Sequence, residues 1–393
     1  MVFFFYAYWH DARFRKQAGG PTKVYELASN LSRMGHRVYL FVPRLGYPEQ
    51  QTSAEVVAVP FLDLPFLRFL SFQVISILMS LYLLLGKVHP DIIYVRIMWS
   101  FLPMLLAKAL SVPVILEVND SPHRGYAGIS SKFKRRCVHL SDKISYRLST
   151  RILPVTGKIS DDLHEIDGVP RNSMTVVPSG SNTDLFRPLD RLFCCGRLGM
   201  DPSKKYVGFI GTFFHHQGLH VLIESAASIV EKQGDTYFLL VGDGPMRAAL
   251  EQKVAETGLD ESFIFTGYVP YQEVAWYCGV MDICVSPLLN EAMESSAVKL
   301  FDYLACGKPV VLSNINNTGA FVETSGAVVL VDPENSEALA SAVLGLLEDG
   351  SGRAEMGKMG REFVASRYNR KMIAKRVEEI ALAAGKKQGQ GEV

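Results

Sequence analysis

The segment SPLLNEAMESSAVKLFDYLACGKPVVLSN, residues 286–314, places two acids and a lysine at helical spacing. Glu294 precedes two serines that suit a helix start, and Lys299 and Asp302 follow three residues apart on one helix face. The segment begins at the end of an apolar strand, so the helix should start at the carboxyl edge of a parallel sheet, where ligands bind. A cation and acids there suit an anionic ligand that carries hydroxyl groups. The alternative is a surface Lys–Asp pair without a function.

Glycines mark a second candidate site, in the loop after the first strand of the chain. Gly19 and Gly20 precede Pro21, which is well placed as the first residue of a helix. A glycine pair lets backbone N–H groups approach an anion at the positive end of a helix. A plain helix entry would use the same residues, so the pair alone is weak evidence for a phosphate site.

The first strand of the second half leads into a comparable loop, GTFFHHQG. Gly211 ends the strand and Gly218 opens the next helix, an arrangement that suits an anion or a sugar. His215 and His216 suit phosphate binding, and they are equally typical of an exposed loop. No third ligand stands at a metal-binding spacing, so the sequence predicts no metal site here.

These loops belong to an alternation of apolar strands and amphipathic helices that occurs twice. Strands rich in Val and Ile, without polar alternation, are typical of parallel sheets covered on both faces. The pattern predicts an α/β fold of two Rossmann-like, doubly wound domains, 1–183 and 184–367, facing each other across a cleft. The strand candidates are Val2–Tyr6, Arg37–Val42, Asp91–Val95, Val114–Val118, Arg151–Val155, Met174–Val177, Tyr206–Ile210, Tyr237–Val241, Ser262–Phe265, Ile283–Ser286, Pro309–Leu312 and Ala327–Val331.

The composition excludes several classes of protein. Of 393 residues, 48% are hydrophobic and 21% charged, which is ordinary for a globular chain and unlike a disordered, collagenous or coiled-coil protein. A formal net charge of +1 argues against a dedicated nucleic-acid binder. The six cysteines form no C-x-x-C pair, which argues against a zinc cluster or a disulfide framework and favours a reducing cytoplasm.

Two segments of the first half bear on membrane contact. The apolar run Phe69–Leu85 is interrupted by serines and Gln73, and we interpret it as a buried helix on a sheet, with a membrane-dipping helix as the alternative. Basic and apolar residues mix between Lys132 and Arg151, as in a helix that lies on anionic lipid, although a solvated helix face fits equally well. We therefore expect a cytoplasmic protein with a peripheral contact between its basic first half and the inner face of the membrane.

In their order and spacing, the motifs resemble those of the GT-B glycosyltransferases, most closely the retaining family 4 enzymes (glycosyl transferases group 1) that use nucleotide sugars. The resemblance covers nearly the whole chain, through AGGPTKVYELASNLSRMGHRVYLFVP, HPDIIYVR, VILEVND, VVPSGSNTDLFRP, GTFFHHQGLHVLIE, LLVGDGP, FTGYVP and KLFDYLACGKPVV.

The resemblance implies roles for these residues. The E-x7-E motif, in which the first acid contacts the donor sugar and the second holds the ribose hydroxyls, falls on Glu294 and Asp302. Asp302 is one methylene shorter than the expected Glu, so the helix must lie closer to the ribose. The glycine pair matches the loop that closes over the donor phosphates. The implied catalytic residues are Glu294, Lys299 and Asn119. The implied donor-binding residues are Gly19, Gly20, Gly211, Thr212, His216, Gln217, Gly267, Tyr268, Lys299 and Asp302.

The chain departs from the family pattern at three further positions. Thr212 and Gln217 stand where many members carry Arg and Lys for the diphosphate, so Lys299 is the obvious remaining cation. Asn119 stands where the family has a histidine that contacts the sugar. An amide donates and accepts hydrogen bonds but does not transfer protons near neutral pH.

The implied activity is transfer of a hexose from a nucleotide sugar to a glycan or glycolipid acceptor, without a metal or any cofactor besides that co-substrate. UDP is the first choice of nucleotide and GDP the second, on family frequency. Residues 368–393 would form a terminal helix that crosses back to the first domain, followed by a disordered tail. The alternatives are a nucleotide-sugar epimerase of the same fold and a non-catalytic nucleotide-sugar-binding protein.

Overall fold

The computed structural model describes residues 1–9, 19–45, 52–64, 67–97, 101–119, 131–290, 298–315 and 324–389. Two parallel sheets of six strands each organise these residues. This arrangement confirms the predicted α/β fold with two doubly wound sheets.

The first sheet has the strand order β3-β2-β1-β4-β5-β6. Its central strands are fully buried because helices cover both faces, which explains why their sequences show no polar alternation. Its strands are β1 Val2–Tyr6, β2 Arg37–Pro43, β3 Glu55–Val59, β4 Ile92–Arg96, β5 Val114–Val118 and β6 Arg151–Pro154. Its helices are α1 Gly19–Arg33, α2 Leu67–Leu85, α3 Leu102–Ala109, α4 Lys132–Leu148 and α5 Gly157–Glu165.

The second sheet has the order β12-β11-β10-β7-β8-β9, so its first strand along the chain again lies in the middle. Its strands are β7 Lys205–Ile210, β8 Thr236–Val241, β9 Phe263–Gly267, β10 Ile283–Ser286, β11 Val310–Ser313 and β12 Val328–Val331. Its helices are α6 Arg191–Leu198, α7 Leu219–Lys232, α8 Arg247–Thr257, α9 Val274–Val280, α10 Val298–Ala305, α11 Ser336–Glu348 and α12 Gly350–Arg367.

The last helix, α13 Arg370–Gly389, packs on the first sheet although it follows the second along the chain. Its apolar residues Ala374, Val377 and Ala381 share a buried core with Phe5 and Leu31. Helix α13 therefore connects the second half of the chain to the first sheet.

Two strand predictions fail at the edges of the first sheet. The sequence analysis missed β3, a half-buried edge strand whose residues do not form a long apolar run. The predicted strand Met174–Val177 is wrong, because Met174 forms only an isolated bridge to Ile152. The neighbouring Pro154 of β6 has no backbone N–H to donate, which limits the pairing there.

The interpretation of Phe69–Leu85 as a buried helix is also wrong. The run forms α2, but only 22% of its apolar window is buried. By length and composition alone, α2 is long and apolar enough to cross a membrane.

Candidate active site

The structure brings Gly211, Gln217 and Lys299 together at the carboxyl end of β7. Lys299 lies in the first described turn of α10, and its Nζ donates a hydrogen bond to Oε1 of Gln217. The same Nζ lies 4.1 Å from the centroid of the Phe209 ring. A Cβ atom added to Gly211 would be 3.5 Å from Nζ, so this glycine leaves the space beside the ammonium open.

Among the described residues, the contacts of Lys299 bring no acid beside its ammonium group. Burial lowers the pKa of Lys299 to about 7, because its named contacts are a neutral amide and an aromatic face. An anion placed beside Nζ would favour the charged form and raise the pKa again. Lys299 is therefore suited to a ligand that brings its own negative charge.

The loop that carries Gln217 is held by close backbone contacts. Residues 215–217 form a 3-10 turn that ends at Gly218, whose φ is +66°. A Cβ atom on Gly218 would lie 1.8 Å from the carbonyl oxygen of Pro287, so only glycine fits there. The carbonyl of His216 accepts a hydrogen bond from the backbone N–H of Leu289 at 3.1 Å. The loop is thus fixed against the segment that leaves β10.

The side chain of His216 contacts Gln217 and Phe214. Its Nε2 lies 2.9 Å from Nε2 of Gln217, and its ring stacks on Phe214 with centroids 5.5 Å apart. Thr212 stands in the same loop, where its carbonyl accepts from the backbone N–H of Phe214 at 2.9 Å. The predicted donor-binding residues of this loop therefore lie near Lys299, with Gln217 in direct contact.

Glycines also allow close backbone contacts at the ends of the next two strands, β8 and β9. Gly211 (φ +146°) and Gly242 (φ +137°) approach so closely that a Cβ atom on Gly242 would lie 2.0 Å from the carbonyl oxygen of Gly211. The N–H of Gly242 donates to the carbonyl of Gly267 at 3.1 Å. Gly267 ends β9, and Tyr268, which follows it, is 46% exposed. These two predicted residues lie at the same sheet edge, two strands away from Lys299.

Asp302 has a different environment from Lys299, although both lie on α10. Its side chain is buried, and Oδ1 accepts a hydrogen bond of 2.5 Å from the Ser181 hydroxyl. Burial raises the pKa of Asp302 to about 7, while Arg370 and the bond from Ser181 oppose that rise. The surface Lys–Asp pair considered from the sequence is excluded, because Asp302 is buried and pairs with Ser181, while Lys299 pairs with Gln217.

A polar network next to Asp302 joins the two sheets and α13. Arg370 forms an ion pair with Glu26 of α1 and donates to the Tyr271 hydroxyl at 3.0 Å. Asn182 donates to Glu26 at 2.7 Å. The sequence analysis missed this network because its members come from four distant parts of the chain. A buried carboxylate therefore lies where the two halves of the molecule connect.

Asn119 follows β5 of the first sheet and lies beside a buried ion pair. Lys23 of α1 donates to Glu117 at 2.8 Å and to Oδ1 of Asn119 at 3.2 Å, and the Tyr94 hydroxyl donates to Glu117 at 2.5 Å. Burial opposes ionisation of Glu117, but Lys23 and Arg96 outweigh it and hold the pKa at about 2. Nδ2 of Asn119 is buried and has no hydrogen-bond partner among the described residues.

The remaining predicted residues are less well placed by the structure. Gly19 and Gly20 are the first residues of α1, so the pair does open a helix. Glu294 lies outside the described residues. Within the described ranges, no group of three or more His, Cys, Asp or Glu side chains is arranged to hold a metal ion.

The sequence matches two family patterns, one in each half of the chain. The pattern "Glycosyltransferase Family 4" matches residues 18–185, and "Glycosyl transferases group 1" matches residues 204–349. Together they cover most of the chain. The chain belongs to the group 1 glycosyltransferases. It is therefore a transferase enzyme, and its two sheets are the two halves of a GT-B fold.

Similar proteins agree with this assignment. The 2-deoxystreptamine glucosyltransferase of Streptomyces kanamyceticus is 27% identical over 290 residues, which cover 71% of this chain and 73% of that protein. The structure of HepE from Anabaena in complex with UDP and glucose has a TM-score of 0.77 at 16% identity, covering 98% of this chain and 100% of that chain. Sucrose-phosphate synthase from Thermosynechococcus elongatus has a TM-score of 0.76 at 20% identity, covering 96% and 98%.

Proposed function

We propose that this glycosyltransferase moves a hexose from a nucleotide sugar to a glycan or glycolipid acceptor in the cytoplasm, with retention of anomeric configuration and without a metal. UDP is the first nucleotide to test and GDP the second. Residues 184–367 would bind the donor and residues 1–183 the acceptor. Neighbouring structures support the choice of UDP, because HepE from Anabaena is solved with UDP, with UDP and glucose, and with UDP-glucose.

The contact between Lys299 and Gln217 carries the proposal. The family resemblance expects a cation at position 217, where this chain has an uncharged amide. Lys299 reaches the same place from α10 and donates to that amide. The charge missing from the β7 loop is thus supplied from another element, beside Gly211, where an added Cβ atom would lie 3.5 Å from Nζ. A glycine at the end of a strand lets backbone N–H groups approach a phosphate.

This arrangement suits the chemistry of glycosyl transfer from a diphosphate. Cleavage of the sugar–phosphate bond leaves negative charge on the departing diphosphate, and fixed cations and N–H dipoles stabilise that charge best. Lys299 with a pKa of about 7 would become fully charged as the diphosphate binds. The departing phosphate oxygen would take the proton of the acceptor hydroxyl on the same face of the sugar, which gives retention.

The roles of Asp302 and Asn119 follow from their hydrogen-bonding capacity. Asp302 would accept hydrogen bonds from the ribose hydroxyls with the oxygen that Ser181 does not use. Asn119 would donate its unpartnered Nδ2 hydrogens to the sugar, since Lys23 already occupies its Oδ1. Asn119 would orient the donor but would not transfer a proton.

Acceptor-dependent nucleotide release tests the proposal. A panel of UDP-hexoses and GDP-hexoses is incubated with candidate acceptors, with and without EDTA, and NMR then gives the anomeric configuration of the product. We expect turnover that requires acceptor, survives EDTA and retains configuration. An inverted product would refute retention. Complete loss with EDTA, restored by magnesium or manganese, would refute metal independence, and epimerised donor without transfer would refute the activity itself.

A further inference from the structure

Helix α2 exposes a row of large apolar side chains to solvent. The exposed fractions are 54% for Leu70, 58% for Leu78, 76% for Tyr82 and 84% for Leu85. Leu67, Val74 and Leu81 of the same helix are also more than 40% exposed. At about 100° per residue, these seven side chains share one face of the helix. We call this face, defined by those seven residues, the α2 stripe.

The opposite face of α2 carries the polar side chains. Gln73, Ser76 and Ser80 are buried together with Phe72. The Tyr6 hydroxyl lies 2.6 Å from Oγ of Ser80, and Ser80 in turn donates to the carbonyl of Ser76 at 2.7 Å. An ordinary surface helix buries its apolar face and exposes its polar face. Helix α2 is apolar on both sides, because Phe72, Ile75 and Met79 pack in the core of the first sheet while the α2 stripe faces outward. This indicates that the outer face meets something other than water.

The helices beside α2 add positive charge. Helix α3 packs against α2 and against α4, so the three helices cover one face of the first sheet. The only acid on these three helices is Asp142, and it is buried. Their exposed charged side chains are all basic: Lys108, Lys132, Arg135, Arg136 and Arg147. Near α2, Asp63 lies 3.7 Å from Arg68, so that acid is paired.

Large apolar side chains also stand out among these basic residues. Phe133 of α4 is 77% exposed and Leu140 is 60% exposed. Leu105 of α3 is 44% exposed. Exposed apolar groups within a basic surface are typical of protein elements that lie in the interface of an anionic membrane.

We propose that the α2 stripe inserts into the interfacial region of an anionic lipid bilayer, with the basic side chains of α3 and α4 on the lipid headgroups. Helix α2 would lie along the membrane surface, because its buried face is tied to β1 through Ser80 and Tyr6. Charge favours lipid over a second copy of the chain, since a symmetric dimer through this face would bring the basic helices together. The proposal does not depend on the transfer reaction.

Flotation of the full chain with lipid vesicles tests the proposal. Vesicles of phosphatidylcholine with phosphatidylglycerol are compared with phosphatidylcholine alone, for the wild type and for Leu78→Gln/Leu85→Gln. We expect the wild type to float with the anionic vesicles and the double variant to partition at least about ten-fold more weakly. The matched control, Leu192→Gln/Phe193→Gln, changes two residues of α6 that are 67% and 59% exposed, and should float like the wild type.

A charge variant and two solution measurements complete the test. Arg135→Glu/Arg136→Glu should weaken binding to anionic vesicles and reduce its dependence on salt. Thermal midpoints should match the wild type in all variants, because every changed residue is exposed. UDP affinity should also match, because none of these residues contacts the described donor-site residues. Failure of the wild type to float would overturn the proposal. So would equal flotation of Leu78→Gln/Leu85→Gln, or a wild-type dimer, seen by light scattering, that this variant converts to monomer without any vesicle binding.

Discussion

Two lysines, the buried Lys23 and the partly buried Lys299, lie one beside each sheet, and burial lowers the pKa of both. They differ in the partner that each ammonium group contacts. Lys23 lies 2.8 Å from the carboxylate of Glu117, so its charge is matched within the protein. Lys299 contacts an amide and an aromatic ring, and burial lowers its pKa to about 7. A buried ion pair is structural, because removing either charge leaves the other uncompensated. A buried lysine without a matching acid is suited to an external anion.

The largest expected effect of this difference is on stability at the first sheet. Glu117→Gln removes the acid and leaves Lys23 buried without its partner, which should lower the free energy of unfolding by about 3–5 kcal/mol. Urea denaturation measures this change. Lys371→Ala is the control, because its ion pair with Asp184 is exposed and should contribute less than about 1 kcal/mol. A cost for Glu117→Gln no larger than that of the control would contradict the structural role.

A smaller effect, on donor affinity, is expected at Asp302, which we propose accepts hydrogen bonds from the ribose hydroxyls. Above pH 7, where its carboxyl group is ionised, Asp302→Asn removes a charged acceptor worth about 1.5–3 kcal/mol, so donor affinity should fall about ten-fold to a hundred-fold. Ser181→Ala is the matched control, because it removes only the hydrogen bond to the connecting segment. Isothermal titration with the donor separates the two roles. Equal losses in both variants would show that Asp302 supports donor binding by holding the connecting segment at Ser181, and not by contacting the ligand.

The pKa of Asp302 also predicts how stability depends on pH. Because the folded-state pKa of about 7 exceeds the unfolded value of 3.8, the folded state holds an extra proton between these values. Stability should therefore be highest below about pH 4 with respect to this group and fall as pH rises toward 7. Asp302→Asn should remove that part of the slope. Urea midpoints measured between pH 4 and 8 would contradict this if both proteins gave parallel curves.

The smallest predicted effect is the pH dependence of nucleotide affinity. Bound diphosphate favours charged Lys299, so UDP binding should weaken a few-fold to about ten-fold per unit as pH rises above 7. The range from pH 7.5 to 9 is suitable because the diphosphate is already ionised there. Lys299→Met should bind more weakly at pH 7 and lose this dependence. The same slope in Lys299→Met would assign the titration to another group.

The sequence predicted the second sheet and its loop chemistry better than the first. Gly211 and Lys299 were candidates from local pattern and Gln217 from the family resemblance, and the structure places them together. The partners of Asp302 were missed, since Ser181 is 121 residues away and spacing along a helix gives no information about such contacts. Glu26 and Arg370 are 344 residues apart and were missed for the same reason.

The error at α2 has a different cause. A run of apolar residues indicates a helix but does not say which face meets the protein. The polar residues Gln73, Ser76 and Ser80 recur at helical spacing and could have shown that they share a face. The structure adds that this polar face is the buried one. Local pattern therefore gave the element, and only packing gave its orientation.

The central claim is that the charge of Lys299 stabilises the departing diphosphate. Turnover by a pair of Lys299 variants tests this claim most directly. Lys299→Met removes the cation, and Lys299→Met/Gln217→Lys returns it from the neighbouring loop, at the atom that Lys299 now contacts. If this charge stabilises the departing diphosphate, the single variant should lose about 10²–10³-fold in kcat and the double variant should recover much of that loss. Near wild-type turnover in Lys299→Met, or no recovery in a folded double variant, would contradict the account.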